Sequence, residues 1–124
     1  MRRALRAFAL VLAMATLAAC TPVAPKASAW VQDTLYFGLS KPGGTISEKE
    51  WQAFVDTQVT PRFPDGLTQW EAKGQWREKD QAVVKEGSRV LQIVHPASPE
   101  EESKIQAIRQ EYRNEFMQSS VLRV

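Results

Sequence analysis

Residues 30–39 alternate between apolar and polar side chains, which predicts a strand with one strongly apolar face. Trp30 and Tyr36 fall on the opposite face. The residues that share the first face are Val31, Asp33, Leu35, Phe37 and Leu39. The strand therefore divides the aromatic side chains between a core and a second surface.

Two segments have helical spacing. Ser47 lies three residues before Glu50, the spacing of a capping box, and predicts a helix over residues 48–59 that Pro61 and Pro64 cannot continue. Ser98 precedes a proline and an acidic first turn, which predicts the start of a second helix. The apolar stripes of the two helices are Trp51, Phe54, Val55 and Val59, and Ile105, Ile108, Tyr112 and Phe116.

Three further strands are predicted. Residues 67–72 form a weak one, followed by a polar stretch to residue 80 that is either a hairpin tip or an irregular strand. Residues 88–95 carry apolar side chains on both faces, as a central strand does, and residues 120–124 form a short last strand. The order β-α-β-β-α-β predicts an α+β, ferredoxin-like domain: a four-stranded antiparallel sheet with the first and third strands central and both helices on one face.

The N-terminal segment has the pattern of a bacterial lipoprotein signal. Three arginines among the first six residues precede an apolar run over residues 7–17, and the run Leu17-Ala18-Ala19 leads to Cys20. We expect residues 1–19 to be removed, Cys20 to carry lipid, residues 20–29 to form a flexible tether and residues 30–124 to form a single domain. The alternative is an ordinary secretory signal with a cysteine near its cleavage site.

This signal changes how composition is interpreted. Removing its three arginines from the 16 Lys and Arg leaves 13 against 14 Asp and Glu, so the mature protein is about neutral and no nucleic-acid partner is indicated. One cysteine excludes an internal disulfide, a Cys-rich metal site and, once lipidated, a thiol nucleophile. We expect the anchor to hold the protein in the cell envelope, facing the periplasm. Because Thr21 is not aspartate, we expect it in the outer membrane rather than the inner one.

Distinctive motifs lie in the segments 30–38, 51–55, 60–68, 74–77 and 116–124. They resemble those of a family of small exported bacterial lipoproteins catalogued as domain of unknown function 3574. The resemblance covers nearly all of the mature chain, and it implies an exported lipoprotein without implying a chemical activity.

The loop over residues 61–66 is one candidate site. Two prolines stiffen a segment that presents Arg62 and Asp65 beside Phe63, and a guanidinium held in this way can bind an anionic group through two parallel hydrogen bonds. Alternatively, Arg62 and Asp65 pair with each other or cap the turn while Phe63 fills the core.

Aromatic residues provide a second candidate, because the sheet face opposite the helices has no element left to cover it. Trp30, Tyr36, Trp70 and Trp76 would expose a large apolar patch there. We expect a homodimer interface or a platform for a ligand whose identity the sequence leaves unknown. The remaining possibility is that the tether and residues 74–87 fold back over this face.

Catalytic chemistry is weakly indicated. His95 is the single histidine and has no second metal ligand nearby in sequence, so neither a metal nor a cofactor is predicted. No serine has the surroundings of a nucleophile. We therefore expect a binding or accessory protein without catalysis. The alternative is a small-molecule-handling enzyme on a sheet-to-sheet dimer, which would show a deep cleft where Arg62, Tyr36 or His95 meets a carboxylate.

Overall fold

The computed structural model describes residues 28–77 and 79–124, so the predicted signal and Cys20 lie outside the described residues. The strands are β1 (Trp30–Gly38), β2 (Ser40–Lys41), β3 (Gly44–Thr45), β4 (Thr68–Arg77), β5 (Val83–Pro96) and β6 (Leu122–Arg123). The helices are α1 (Glu48–Phe54), which continues as a π-helical turn (Val55–Val59), and α2 (Pro99–Phe116).

The main sheet has four antiparallel strands in the order β4-β5-β1-β6. The predicted α+β, ferredoxin-like arrangement is confirmed, and the two strands with the most apolar sequences, β1 and β5, are the central pair. Strands β2 and β3 form a separate two-stranded hairpin. Its turn contains Gly43 at φ 83°, a backbone conformation that glycine adopts without steric cost.

Both helices pack on the same side of the sheet. Leu35, Phe37, Leu91 and Ile93 from β1 and β5 share one core cluster with the apolar stripes of the helices. The ring of Phe37 is fully buried, with its centroid 5.2 Å from that of Trp51 and 4.7 Å from that of Tyr112. The predicted stripes are therefore the buried faces of the two helices.

The helix starts follow their sequence signals. Ser47 and Glu50 form the capping box, each side chain bonding the backbone N–H of the other. The hydroxyl of Ser98 accepts a hydrogen bond from Glu101 N at 3.2 Å and opens α2. The first helix reaches Val59 as predicted, but its last five residues widen into a π turn closed by Thr60 N and Val55 O, 2.9 Å apart.

The hairpin of β4 and β5 is longer than predicted. Strand β5 begins at Val83 instead of residue 88, and β4 continues to Arg77, because the backbone ladder runs on to the pair Arg77 and Val83. Most side chains in this extension are exposed or half-exposed, so no buried face marks it in the sequence. The last strand is shorter than predicted, Leu122–Arg123 instead of residues 120–124.

Candidate functional site on the open face of the sheet

The strand register assigns each side chain to one of two faces, because residues directly opposite each other in an antiparallel pair point to the same side. Leu35 opposes Leu91 on the side that the helices cover. Tyr36 opposes Val90, which in turn opposes Trp70, and Leu122 opposes Tyr36 on its other side. These four residues form a row across all four strands on the opposite side, which we call the open face.

The open face is strongly apolar at its surface. Trp70 is 41% exposed and Tyr36 is 38% exposed, whereas Val90 between them is only 1% exposed although it lies outside the main core. The two aromatic rings of the row therefore shield the valine. The register also places the exposed residues Trp30, Trp76, Val94 and Leu122 on the open face. Val124 lies there as well, because it exchanges backbone hydrogen bonds with Thr34.

Charge is nearly absent from the open face. Among the described strand residues that the register places there, Glu86 alone carries a charged side chain, and it lies towards one end of the sheet. A solvated face of an antiparallel sheet is normally polar, whereas the centre of a protein interface is depleted of charge and enriched in Trp and Tyr. The open face has the second composition.

The segment predicted as a possible cover does not cover this face. Gly74 and Gly87 both belong to the sheet itself, in the paired arm of β4 and β5, so the expectation that residues 74–87 fold back over it is wrong. The tether up to residue 27 lies outside the described residues. Within residues 28–77 and 79–124, Trp30, Tyr36, Trp70 and Trp76 all remain more than one third exposed.

The candidate loop over residues 61–66 is held by contacts of its own. Arg62 Nη1 donates to the carbonyl oxygen of Gln58 at 2.6 Å and to its side-chain oxygen at 3.0 Å, so this guanidinium caps the end of the first helix. Phe63 is buried, and its ring centroid lies 5.5 Å from that of His95. Asp65 is exposed and, among the described residues, forms no ion pair with Arg62. Arg62 and Asp65 line a cavity of about 280 Å³ together with Trp30 and His95.

A buried polar network lies at the same end of the sheet. Asp33 and His95 occupy the covered face and are 6% and 3% exposed, with His95 Nε2 2.8 Å from Asp33 Oδ2. Arg123 donates to both carboxylate oxygens of Asp33, at 2.7 and 2.9 Å. The same guanidinium bonds both oxygens of Glu102 on α2, at 2.6 and 2.7 Å. The network therefore joins β1, β5, β6 and α2.

This geometry makes His95 a structural residue. Its Nδ1 donates to the carbonyl of Pro96 at 2.8 Å while Nε2 faces Asp33, so neither ring nitrogen is free to exchange a proton with a substrate. Burial alone raises the pKa of Asp33, but the hydrogen bonds from Arg123 and His95, together with their charges, lower it overall. A hydrogen bond from Arg123 is the main cause that lowers the pKa of Glu102 to about 2.

The sequence analysis placed Asp33 on the apolar face of the first strand and weighed His95 for catalysis, but it did not predict that they meet. It did not select Glu102 or Arg123 as site residues. A usable signal existed: Asp33 is the polar residue on an otherwise apolar strand face, and a buried carboxylate requires partners. In the described residues, no group of three or more His, Cys, Asp or Glu side chains is placed to hold a metal ion.

The family is established by sequence. The model of a family described as "Protein of unknown function (DUF3574)" matches residues 32–124. This chain belongs to that family. No curated protein matches the sequence. Within residues 28–77 and 79–124, no helix has both the length and the apolar character needed to cross a membrane.

Two solved structures share the fold of this family member. One is a phage SAM lyase in complex with S-methyl-5′-thioadenosine, with a TM-score of 0.60 and 20% identity, covering 76% of this chain and 77% of the other. The second is a phage SAM lyase in the apo state, with a TM-score of 0.57 and 20% identity over 77% and 78% of the two chains. At this identity the likeness concerns the fold.

Proposed function

We propose that this family member is a lipid-anchored envelope protein that acts by binding, and that its binding surface is the open face of the sheet. The observation that carries the proposal is the row of Trp70, Val90, Tyr36 and Leu122, which crosses all four strands. Among the described strand residues, this face has one charged side chain. Exposed apolar patches of this kind mark interaction sites in soluble domains.

The occupant that fits this face best is a second copy of the same chain. A twofold interface places the same patch against itself, so a patch with charge at its centre would suffer like-charge repulsion. Here the centre is aromatic and aliphatic, and the one carboxylate, Glu86, lies towards an end of the sheet. Trp and Tyr side chains are also the ones that most often dominate the binding energy of interfaces.

Sedimentation of the mature chain with Cys20→Ser, which prevents lipid attachment, tests the surface. Trp70→Glu places a charge in the centre of the open face, and we expect it to convert a dimer to a monomer at the same protein concentration. The matched control is Ala53→Glu, which adds the same charge at an exposed position of α1. A wild-type chain that sediments as a monomer at all concentrations, or a dimer that Trp70→Glu leaves intact, would contradict self-association.

The anchor is supported by the basic and apolar segments before Cys20. We expect Cys20→Ala to abolish lipid attachment, leaving the protein either soluble or retained with its signal uncleaved. Intact mass measures signal cleavage and lipid attachment. Fractionation of the envelope into inner and outer membranes measures where the protein is located. A Cys20→Ala protein that is cleaved and still partitions with membranes would exclude the lipoprotein assignment, and recovery of the wild type with the inner membrane would contradict the expected outer location.

A second candidate function is the handling of a small molecule on a sheet-to-sheet dimer. The observation that favours it is the fold shared with a phage SAM lyase solved with S-methyl-5′-thioadenosine. The contacts of His95 and Arg62 argue against it, because His95 is buried with both nitrogens engaged and Arg62 caps a helix. Titration with S-methyl-5′-thioadenosine in a calorimeter separates the two candidates: saturable binding supports the second, and no heat supports binding through the open face.

A further inference from the structure

A cleft opens at the end of the sheet away from the buried polar network. The hairpin of β2 and β3, the loop over residues 117–120 and the paired arm of β4 and β5 enclose a cavity of about 370 Å³. This volume lies in the range of sites that hold small molecules. Its lining includes Gly38, Ser40, Lys41, Trp76, Glu86 and Met117.

One carboxylate in this cleft lacks a cationic partner. Glu86 Oε2 accepts a hydrogen bond from Ser40 N at 3.0 Å, and no basic side chain among the described residues forms an ion pair with it. A methyl group built on Gly38 would lie only 2.1 Å from Glu86 Oε1, so the carboxylate occupies the space that the missing side chain leaves. Ser40 N thus holds one oxygen of this carboxylate, and the other oxygen lies beside Gly38.

The charge of Glu86 acts on its surroundings. Burial is the main cause that raises the pKa of Tyr112, and the neighbouring Glu86 and Glu115 carboxylates raise it further. The hydroxyl of Tyr112 donates to Gly38 O at 2.7 Å, which ties the floor of the cleft to the aromatic core. The charge of Glu86 therefore reaches the floor of the cleft.

Among the described residues, Lys41 is the basic residue that lines the cleft, and it is already paired. Lys41 forms an ion pair with Glu50, whose side chain also accepts hydrogen bonds from Ser47. The hydrogen bond from Lys41 is the main cause that lowers the pKa of Glu50 to about 2, so Glu50 stays ionised and keeps the ammonium group occupied. Lys41 therefore contributes little positive charge to the interior of the cleft.

We propose that this cleft binds a small organic cation of the alkylammonium type. Three kinds of group in the lining suit such a ligand: the carboxylate of Glu86 for its charge, the indole of Trp76 for a cation–π contact, and the polarisable thioether of Met117 for its alkyl groups. The inference goes beyond self-association, because it concerns a site at the rim of the open face and a different class of ligand.

Titration calorimetry with choline chloride as the probe tests the site, using the mature chain with Cys20→Ser and buffers of equal ionic strength. The paired probe is 3,3-dimethylbutan-1-ol, which has the shape of choline without its charge. We expect choline to bind and the neutral alcohol to bind at least about tenfold more weakly, since the alcohol leaves Glu86 without a partner. Equal affinities, or no choline binding, would overturn the proposal.

Three variants locate the site. Glu86→Gln removes the charge and Gly38→Ala displaces the carboxylate, and each is expected to weaken choline binding by about tenfold or more. The matched control is Glu100→Gln, which removes the same charge at the opposite end of α2, roughly 24 Å along the helix from Phe116. Choline affinity that survives Glu86→Gln, or that falls equally in Glu100→Gln, would refute the site.

The same variants distinguish the proposed cation site from self-association. Glu86→Gln is expected to leave the sedimentation coefficient at its wild-type value, because the substitution removes a charge from the rim without touching the row of Trp70 and Tyr36. Choline binding lost together with the dimer in Glu86→Gln would show that the two measurements report one surface and would overturn a separate cation site.

Discussion

Both faces of the sheet carry large apolar side chains, but the two faces differ in how these side chains are covered. On the covered face, Phe37 and Leu91 are completely buried beneath the helices. On the open face, Tyr36 and Trp70 each remain about 40% exposed and shield Val90 without any covering element. Because both faces are built from the same strands, the difference lies in what packs against them.

Polar groups show the same contrast. On the covered side, Arg123 donates hydrogen bonds to both Asp33 and Glu102, and His95 bonds Asp33. Glu86 on the open side has a backbone donor but, in the described residues, no charged partner. The charges of this network are thus paired with one another, whereas the open face exposes apolar side chains and a carboxylate without a cationic partner among the described residues, as expected of a surface that binds.

The largest effect is expected for Phe37→Ser on the covered face. This substitution removes an aromatic ring from contact with Trp51, Phe54 and Tyr112 and leaves a hydroxyl without a partner, at a cost of about 4 kcal/mol or more in the free energy of unfolding. A domain of this size has about 5–15 kcal/mol in total, so urea melts should show a largely unfolded or severely weakened protein. A loss below about 2 kcal/mol would mean that the core repacks around the vacancy.

Breaking the buried network is expected to have the next largest effect. Arg123→Met removes the guanidinium that neutralises Asp33 and links it to Glu102, at a cost of about 3 kcal/mol, since a buried carboxylate then loses its main partner. Arg113→Met on the exposed side of α2 is the control, and we expect it to change the stability by less than about 0.5 kcal/mol. Equal urea midpoints for the two variants would show that the network contributes no net stability.

The network also predicts how stability depends on pH. The pKa of Glu102 in the folded chain is about 2, below its ordinary value of 4.5, and the pKa of Asp33 is lowered as well. A lowered carboxyl pKa stabilises the fold above the unfolded value, and this contribution is lost as the pH falls through the folded value. We expect the free energy of unfolding to fall between about pH 4.5 and 2, with a shallower fall in Glu102→Gln. Identical pH slopes would contradict this assignment.

The sequence predicts the order of the two helices and the four main-sheet strands, and the buried face of β1, because these depend on local signals: alternation, caps and proline positions. It does not predict the short hairpin of β2 and β3. It predicts the network poorly, since His95 lies 62 residues and Arg123 lies 90 residues from Asp33 in the sequence. The three side chains meet only through the register of the sheet. Knowledge that β1 and β5 are adjacent is not enough, because a shift of one residue would send His95 to the open face.

The aromatic candidates and the loop candidates also differ in how well sequence places them. Strand alternation puts Tyr36 on the uncovered face without any knowledge of partners. The role of Arg62 depends on which acceptor its guanidinium contacts, and that acceptor is the carbonyl of Gln58 at the end of the preceding helix. Long side chains reach several acceptors, so their contacts follow from tertiary packing and not from local pattern.

A smaller effect is expected at the start of α2, the longer of the helices on the covered face. Ser98→Ala removes the hydroxyl that accepts from Glu101 N and should cost about 0.5–2 kcal/mol, whereas Ser98→Asp should be nearly neutral. Ser103→Ala is the control, because its hydroxyl bonds a carbonyl inside the same helix and caps nothing. Equal urea midpoints for the wild type and Ser98→Ala would show that the helix does not depend on this cap.

The smallest effect on stability is expected on the open face itself. Tyr36→Ser is the same kind of substitution as Phe37→Ser, at the neighbouring position on the opposite face of β1. Tyr36 is 38% exposed and its loss uncovers part of Val90, so we expect a cost of about 1 kcal/mol and a cooperative urea transition. The same variant should weaken self-association in sedimentation at matched concentration, because it removes an aromatic ring from the centre of the proposed interface. If Tyr36→Ser left association unchanged while lowering stability as much as Phe37→Ser, the ring would belong to the core, and the open face would lose its role as the binding surface.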